Sequence, residues 1–183
     1  MTALVLLGIV VALALVVVGL YNGLVRSRVR VDEAWSGIAT QLKRRHDLVP
    51  NLVETVKGYA AHERGVLEKV TELRSRAMAA TTPAQSAQAE GLLTQALRGL
   101  YAVAEGYPDL KANQGFLSLQ QALADTEGAI AGARQGYNAA VRDLNTRIET
   151  VPSNLIAGTF GFSRREFFEL EDPAERSVPQ VRF

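Results

Sequence analysis

The first 25 residues carry no charged side chain, and this feature constrains the fold more than any other part of the sequence. Residues 3–20 consist of Leu, Val, Ile, Ala and Gly. About 20 such residues cross the hydrocarbon core of a bilayer as an α-helix, which satisfies its own backbone hydrogen bonds. A cleaved secretory signal is the alternative, but it requires a charged start and a cleavage site after a short apolar core. We therefore predict an uncleaved membrane anchor over residues 1–25.

Positive charge follows the apolar segment and does not precede it. Arg26, Arg28 and Arg30 come directly after the anchor, and Tyr21 stands where aromatic side chains meet the membrane surface. We expect these four residues to lie at the membrane interface. Because Lys and Arg are retained on the cytoplasmic side, the sequence predicts an N-terminus outside the membrane and a C-terminal portion in the cytoplasm.

Composition excludes several classes of protein. The chain beyond the anchor has the length of a single domain. Its net charge of +1, with both signs interspersed, is not the footprint of a nucleic-acid-binding protein. The sequence has no cysteine, which excludes disulfides, zinc–thiolate sites and a cysteine nucleophile.

An apolar seam with alternating four- and three-residue steps runs from Val31 to Ala77. The average step of about 3.5 residues is typical of a left-handed coiled coil. We predict one helix over this segment, about 70 Å long, with a kink where Pro50 removes a hydrogen bond. The alternative is a helix that ends near Asp47, followed by a second helix with Pro50 in its first turn.

Two further helices follow in the sequence. Thr82 and Gln85 flank Pro83 in the pattern of a capping box, so a second helix is predicted from there to about Glu105. A third helix is expected to begin near Asp109 and to end before Pro152. The predicted fold is all-α: an N-terminal transmembrane helix, an antiparallel coiled-coil-like bundle of three to four long helices over residues 26–152, and a short helix with an extended tail over residues 153–183.

Several sequence motifs carry a family resemblance. Residues 41–63 read QLKRRHDLVPNLVETVKGYAAHE, preceded by YNGLVRSRVRVDEAWSGI and followed by YPDLKANQGFLSLQ and FGF…FFELED…PQVRF. In this order they resemble the LemA family of bacterial membrane-anchored proteins, with departures at Gly128, Leu144 and Val151. The resemblance implies a membrane helix, a helical bundle and no assigned catalysis, with one branch at bacterial organelle membranes. It also implies the bacterial inner membrane as the location.

A set of polar residues accompanies these motifs, and we call it the polar set. Two of its members, Arg45 and Glu63, occupy seam positions of the first helix. We interpret the set as a structural network that fixes helix register, with Arg45–Glu127 and Arg134–Glu63 as expected pairs. The alternative is a ligand or partner site inside the bundle. The set comprises Arg44, Arg45, Asp47, Asn51, Glu63, Glu127, Arg134, Asn138 and Asn145.

Signals for catalysis are weak. The sequence contains no P-loop, dinucleotide-binding glycine pattern or nucleophile elbow. His46 and His62 lack the spacing of a metal-binding pair, and we expect each to be a solvated or capping residue. We therefore predict no catalytic residue, no metal or cofactor ligand, and a protein that is not an enzyme.

Glycines and phenylalanines suggest packing surfaces. Gly128, Gly132 and Gly136 repeat every four residues and predict close helix packing within the bundle, whereas Gly19 and Gly23 suggest self-association of the anchor. Five of the six Phe residues lie in the last 24 positions. These rings either cover the open end of the bundle or meet the bilayer interface or another subunit.

The leading functional hypothesis is a membrane-tethered, non-enzymatic scaffold. The long first helix would outreach the second, so its surplus surface would require a partner, and we expect a homo-oligomer that also binds other membrane proteins. The alternative is an accessory or regulatory subunit of a membrane enzyme such as a protease. A third possibility is an enzyme that uses the third-helix members of the polar set, which are Glu127, Arg134, Asn138 and Asn145. It requires a cavity with strongly perturbed carboxylates.

Overall fold

The computed structural model describes residues 1–169, and every regular element in that range is an α-helix. The all-α class is therefore confirmed, while the tail predicted beyond residue 169, with Phe183, lies outside the described residues. The helices are α1 Thr2–Lys57, α2 Arg64–Met78, α3 Pro83–Ala104, α4 Pro108–Lys111, α5 Gln114–Glu149 and α6 Ser153–Thr159.

The chain divides into two compact units. Unit 1 contains residues 1–38 and 133–166, and unit 2 contains residues 39–132 together with the described residues 167–169. Helices α1 and α5 each contribute residues to both units.

Helix α1 begins in the apolar segment and continues without interruption to Lys57. It is long and apolar enough to span a membrane, and its most apolar window is not buried against the rest of the protein. Pro50 lies inside the helix, so the alternative of two helices that meet near Asp47 is wrong. A proline leaves the carbonyl four residues earlier without its helical donor, and here that carbonyl belongs to His46.

The single helix predicted from residue 31 to residue 77 is interrupted at residues 58–63. Gly58, a poor helix former, follows directly after α1, and Glu63 precedes α2. The buried positions shift by one residue at this break. The four- and three-residue steps of the seam fall on Tyr59 and Val66, but the buried residues are Ala60 and Leu67. The part of α1 beyond the anchor is therefore about 48 Å long instead of about 70 Å. It still exceeds the 22-residue α3, so the predicted surplus length is reduced to about 15 Å.

The later helix ends follow local capping chemistry. Thr82 accepts a hydrogen bond from the Gln85 backbone N–H at 3.2 Å, which confirms the predicted start of α3. The third long helix begins later than expected, because one turn of α4 comes first. Asn113 then caps α5, since its Oδ1 accepts from the Phe116 N–H at 3.0 Å. The end of α5 at Glu149 confirms the effect of the downstream proline.

Unit 2 has an apolar core to which five helices contribute. Fully burying a Leu or Val side chain contributes about 1.5–3 kcal/mol, so the apolar side chains of this core supply most of the stabilisation of unit 2. On α1 and α2 the predicted seam is largely the buried one. The core includes Val49, Leu52, Val56, Val70, Leu73, Ala77, Leu93, Leu97, Leu100, Leu110, Phe116 and Leu123.

Unit 1 buries a smaller set of side chains from α1, α5 and α6. The seam of α1 extends toward the anchor beyond its predicted start, because Leu24 is buried as well as Val31. The rings of Trp35 and Tyr137 are 5.5 Å apart between centroids. The other buried apolar residues are Ile38, Val141, Leu144 and Ala157.

Candidate functional site

Unit 2 contains a buried ion cluster formed by Arg45, His46 and Glu90. Their exposed fractions are 4%, 8% and 1%. Arg45 donates through Nη1 to Glu90 Oε2 at 3.2 Å, and His46 Nε2 lies 2.6 Å from Glu90 Oε1. The second arm of the guanidinium donates to Thr94 Oγ1 at 2.7 Å. One carboxylate of α3 therefore binds two consecutive side chains of α1.

The helix periodicity explains why these groups meet. Arg45 occupies a seam position between the buried residues Leu42 and Val49 of α1. Glu90 occupies the equivalent kind of position on α3, between Ser86 and Leu93, in a series of four- and three-residue steps. Sequence reasoning identified Arg45 but missed Glu90, although the seam of α3 would have revealed it.

The cluster also corrects the expectation for His46, which is buried and paired, not solvated. Its neighbour in sequence, Arg45, was expected to pair with Glu127, but its side chain instead donates to Glu90 and Thr94. Removing one partner of a buried ion pair typically costs about 3–5 kcal/mol, because the other charge remains buried. The arrangement therefore ties one position of α1 to one position of α3.

The backbone of His46 takes part as well. Pro50 has no N–H to donate to the His46 carbonyl, and Arg74 Nε donates to that oxygen at 2.7 Å. A side chain of α2 thus replaces the helical hydrogen bond that the proline removes. This contact explains how α1 remains helical through Pro50.

A cavity of about 150 Å³ adjoins the cluster. Burial raises the pKa of Tyr101 in its wall, an effect that Arg45 opposes and Glu127 reinforces. Small-molecule sites usually measure about 300–1,000 Å³, so this cavity is small for a ligand site. Its lining residues are Arg45, Thr94, Leu97, Arg98, Tyr101, Gln120, Leu123, Ala124 and Glu127.

In unit 1, Asn145 of α5 binds the backbone of the segment that follows α6. Its Nδ2 donates to the Arg165 carbonyl at 3.0 Å, and its Oδ1 accepts from the Arg165 N–H at 2.9 Å. Tyr137 donates its hydroxyl to the Glu166 carbonyl at 2.8 Å, and burial raises the pKa of this phenol. Arg165 also donates to Asp32 at 3.0 Å. A segment without regular structure therefore obtains its backbone partners from helix side chains.

Aromatic contacts lie near the end of the anchor, also within unit 1. The Tyr21 ring is 4.9 Å from Phe160 and 5.8 Å from Phe162, between centroids. The Arg28 guanidinium carbon lies 5.2 Å from the centre of the Phe162 ring. Phe168, in contrast, belongs to unit 2 and is fully buried.

A polar contact joins α1 and α5 in the same unit. Ser27 donates to Asp143 Oδ2 at 2.9 Å, and Arg147 Nε lies 3.1 Å from both carboxylate oxygens. Burial opposes ionisation, but the hydrogen bonds from Ser27 and Arg147 hold the pKa of Asp143 below its usual range. Ser27 is itself almost fully buried.

The remaining members of the polar set are more dispersed. Arg44, Asn51 and Glu127 are exposed, as is Asp47, whose hydrogen bond from Lys43 at 2.6 Å lowers its pKa. Glu63, Arg134 and Asn138 are half-buried. Arg134, Asn138 and Asn145 belong to unit 1, whereas the other six members belong to unit 2. Within residues 1–169, no group of three or more His, Asp or Glu is placed to hold a metal ion.

The glycine repeat of α5 does not pack as predicted. Among the described residues, nothing lies within 4 Å of a Cβ placed on Gly128, Gly132 or Gly136, apart from the helix's own neighbouring backbone. At 100° per residue, Gly128 and Gly132 lie on the opposite side of the helix from the buried Ile130. At the anchor, a Cβ on Gly23 would lie 3.5 Å from Arg147 Nη1.

The fold and these contacts define an all-helical protein whose N-terminal helix is long and apolar enough to span a membrane. The LemA family model matches residues 34–183. The chain belongs to the LemA family, which confirms the resemblance seen in the sequence.

The sequence is also similar to individual proteins with related names. The chain is 28% identical over 180 residues to magnetosome protein MamQ 2 of Paramagnetospirillum magneticum, covering 84% of this chain and 66% of the relative. It is 26% identical over 180 residues to magnetosome protein MamQ of Magnetospirillum gryphiswaldense, with the same coverage. Protein LemA of Metamycoplasma hominis is 29% identical over 146 residues, covering 78% of this chain and 65% of the relative. The matched part of the chain thus spans just under two thirds of each relative.

Proposed function

We propose that this protein is a membrane-tethered, non-enzymatic scaffold that assembles with copies of itself at the bacterial inner membrane. Residues 1–25 cross the bilayer with the N-terminus outside, and the other helices lie in the cytoplasm. Arg26, Arg28 and Arg30, which follow the apolar segment, support this orientation. The observation that carries the assembly proposal is an exposed face of small residues on α5.

The small face consists of Gly128, Ala129 and Gly132 in unit 2, and Gly136 continues the same spacing along α5. Each glycine in a helix interior lowers helix stability by about 1 kcal/mol relative to alanine. Small residues let a second helix approach closely, with weak Cα–H···O contacts between the two backbones. The contact with another copy would compensate for the glycines.

The charged residues support a structural role. Glu90 and Arg45 pair with each other inside unit 2, and the adjoining cavity is small for a substrate. Asn145 uses both ends of its amide on the chain's own backbone. These groups stabilise the protein internally, as expected for a scaffold.

The proposed architecture is an antiparallel bundle. The connections at residues 58–63, 79–82 and 105–107 are short, which favours antiparallel neighbours. Arg74, near the end of α2, reaches the carbonyl of His46, well before the end of α1. Two relatives are named as magnetosome proteins, and this supports the proposal that the present protein acts as part of a larger assembly at a membrane.

The test compares Gly132→Leu with a matched control. Gly99 on α3 is also exposed, and a Cβ there meets nothing within 4 Å among the described residues, so Gly99→Leu adds the same side chain at an equivalent site. Both substitutions raise helix propensity, so neither is expected to prevent folding. The measurement is the particle mass of the full chain extracted in native membrane discs.

We expect an oligomer for the wild type and for Gly99→Leu, and a shift toward monomers for Gly132→Leu. A wild-type protein that is monomeric in the discs would contradict self-assembly. An oligomer that Gly132→Leu leaves intact would show that the small face is not the interface.

A further inference from the structure

The segment around α6 exposes large apolar side chains in unit 1. Residues 150–163 contain no charged side chain. Within this segment Val151, Leu155 and Phe160 are 79%, 67% and 54% exposed. We call these three residues the α6 patch. Exposed apolar surface concentrated in an uncharged segment commonly marks a contact with a membrane or a partner.

The α6 patch is tied to the end of the anchor. The Phe160 ring lies 4.9 Å from the ring of Tyr21, between centroids, and Tyr21 directly follows the apolar residues 3–20. Because about 20 helical residues fill the hydrocarbon core, Tyr21 lies at the boundary between acyl chains and headgroups when the anchor spans the bilayer. Phe160, in contact with Tyr21, lies at the same depth.

Basic side chains surround this part of unit 1. Arg28 lies over the Phe162 ring at 5.2 Å, and Arg26 is exposed one turn beyond Tyr21. Arg164 and Arg165 follow the uncharged segment directly, but each pairs with a carboxylate at 3.0 Å, of Glu149 and of Asp32 respectively. Arg26 and Arg28 are therefore the arginines offered to the headgroups. Apolar side chains flanked by arginines are the composition of elements that lie in the membrane interface, where the cations bind anionic headgroups.

We propose that the α6 patch inserts into the lipid interface on the side of the membrane where the anchor ends. The anchor then provides one attachment, and α6 provides a second beside it. Two attachments at Tyr21 and Leu155 fix the orientation of unit 1 on the membrane surface. This inference rests on the membrane anchor of the proposed function and is independent of self-assembly.

The sequence lacks cysteine, so each single-cysteine variant of the full chain carries one spin label. The test variant is Leu155→Cys, with Phe160→Cys as a second position in the patch. Leu13→Cys in the anchor is the control in lipid, and Leu117→Cys, an exposed leucine of unit 2, is the control in water. The proteins are reconstituted in vesicles of phosphatidylcholine and phosphatidylglycerol, and collisions of each label with oxygen and with a water-soluble nickel chelate are measured.

We expect the label at residue 155 to collide with oxygen in preference to nickel, as at residue 13, and the label at residue 117 to show the reverse. Nickel access at residue 155 equal to that at residue 117 would overturn the inference. Protection from both reagents that disappears on dilution with lipid would also overturn it, in favour of a contact between copies. If residue 13 itself were accessible to nickel, the proposed anchor would fail as well, which separates the two proposals.

Discussion

The two units use buried polar groups in different ways. In unit 2 the carboxylate of Glu90 pairs with Arg45 and His46, so the contact joins side chains of two regular helices. In unit 1 the neutral amide of Asn145 binds the backbone of residue 165, so the contact holds a segment without regular structure. The comparison indicates that a buried ion pair can tie two regular helices together, whereas an amide, which both donates and accepts, can supply the partners that an irregular backbone lacks.

The largest effect is expected for Glu90→Gln in unit 2. This change preserves the shape of the side chain but leaves the Arg45 guanidinium buried without its counter-charge. We expect a loss of about 3–5 kcal/mol in the free energy of unfolding, measured by denaturant titration of the full chain in micelles. Glu68→Gln, at an exposed position of α2, is the control and should change stability by less than about 0.5 kcal/mol. Equal effects of the two variants would disprove a register role for Glu90.

A smaller effect is expected for Asn145→Ala in unit 1. Two backbone groups of Arg165 lose their partners, but the segment can detach and become hydrated, so we expect a loss of about 1–3 kcal/mol. Detachment should also accelerate tryptic cleavage at Arg164 and Arg165, which a proteolysis time course measures. Gln135→Ala, at an exposed position of the same helix, should leave the cleavage rate unchanged. Unaltered cleavage in Asn145→Ala would refute the role assigned to this amide.

The contact between Arg74 and the His46 carbonyl predicts a coupling with Pro50. Arg74→Met should cost about 1–2 kcal/mol, because a backbone acceptor loses a side-chain donor. In the Pro50→Ala background the new N–H can donate to the same carbonyl, so the loss should be smaller. A double-mutant cycle is expected to give a coupling of about 0.5–1.5 kcal/mol. Additive effects within about 0.3 kcal/mol would mean that Arg74 does not compensate for the proline.

The smallest effect concerns Asp143 in unit 1. Its pKa is lower in the folded protein than in the unfolded chain, so the ionised carboxylate stabilises the fold above the unfolded pKa of about 3.9. This contribution is lost as the pH falls through the lower, folded pKa. Because the group is mostly solvated, we expect it to be worth less than about 1 kcal/mol. Asp143→Asn should remove this part of the acid dependence of unfolding, and an unchanged pH profile would contradict the assignment.

Local signals in the sequence predicted a substantial part of this fold. The cap at Thr82 and the proline at position 152 located the start of α3 and the end of α5. The seam identified most buried residues of α1 and α2. It did not reveal the turn at residues 58–63, because apolar residues continue at compatible spacing on both sides of the break.

The contacts between distant residues were harder to predict. A helix through Pro50 depends on Arg74, which is distant in sequence, so proline alone suggested a kink or a break. The seam of α3 indicates a buried position for Glu90, but the sequence does not show that Arg45 and His46 of α1 lie opposite it. The partner of Asn145 is a backbone segment, and such a partner has no side-chain pattern that a sequence can display.

The central proposal is that the chain is tethered by its N-terminal helix, with the residues beyond position 25 on the cytoplasmic side. The most direct test labels single-cysteine variants Thr2→Cys and Met78→Cys with a membrane-impermeant maleimide in spheroplasts. We expect position 2 to react in intact spheroplasts and position 78 to react only after the membrane is permeabilised. Reaction of position 78 in intact spheroplasts, or recovery of the protein in the soluble fraction, would contradict the account.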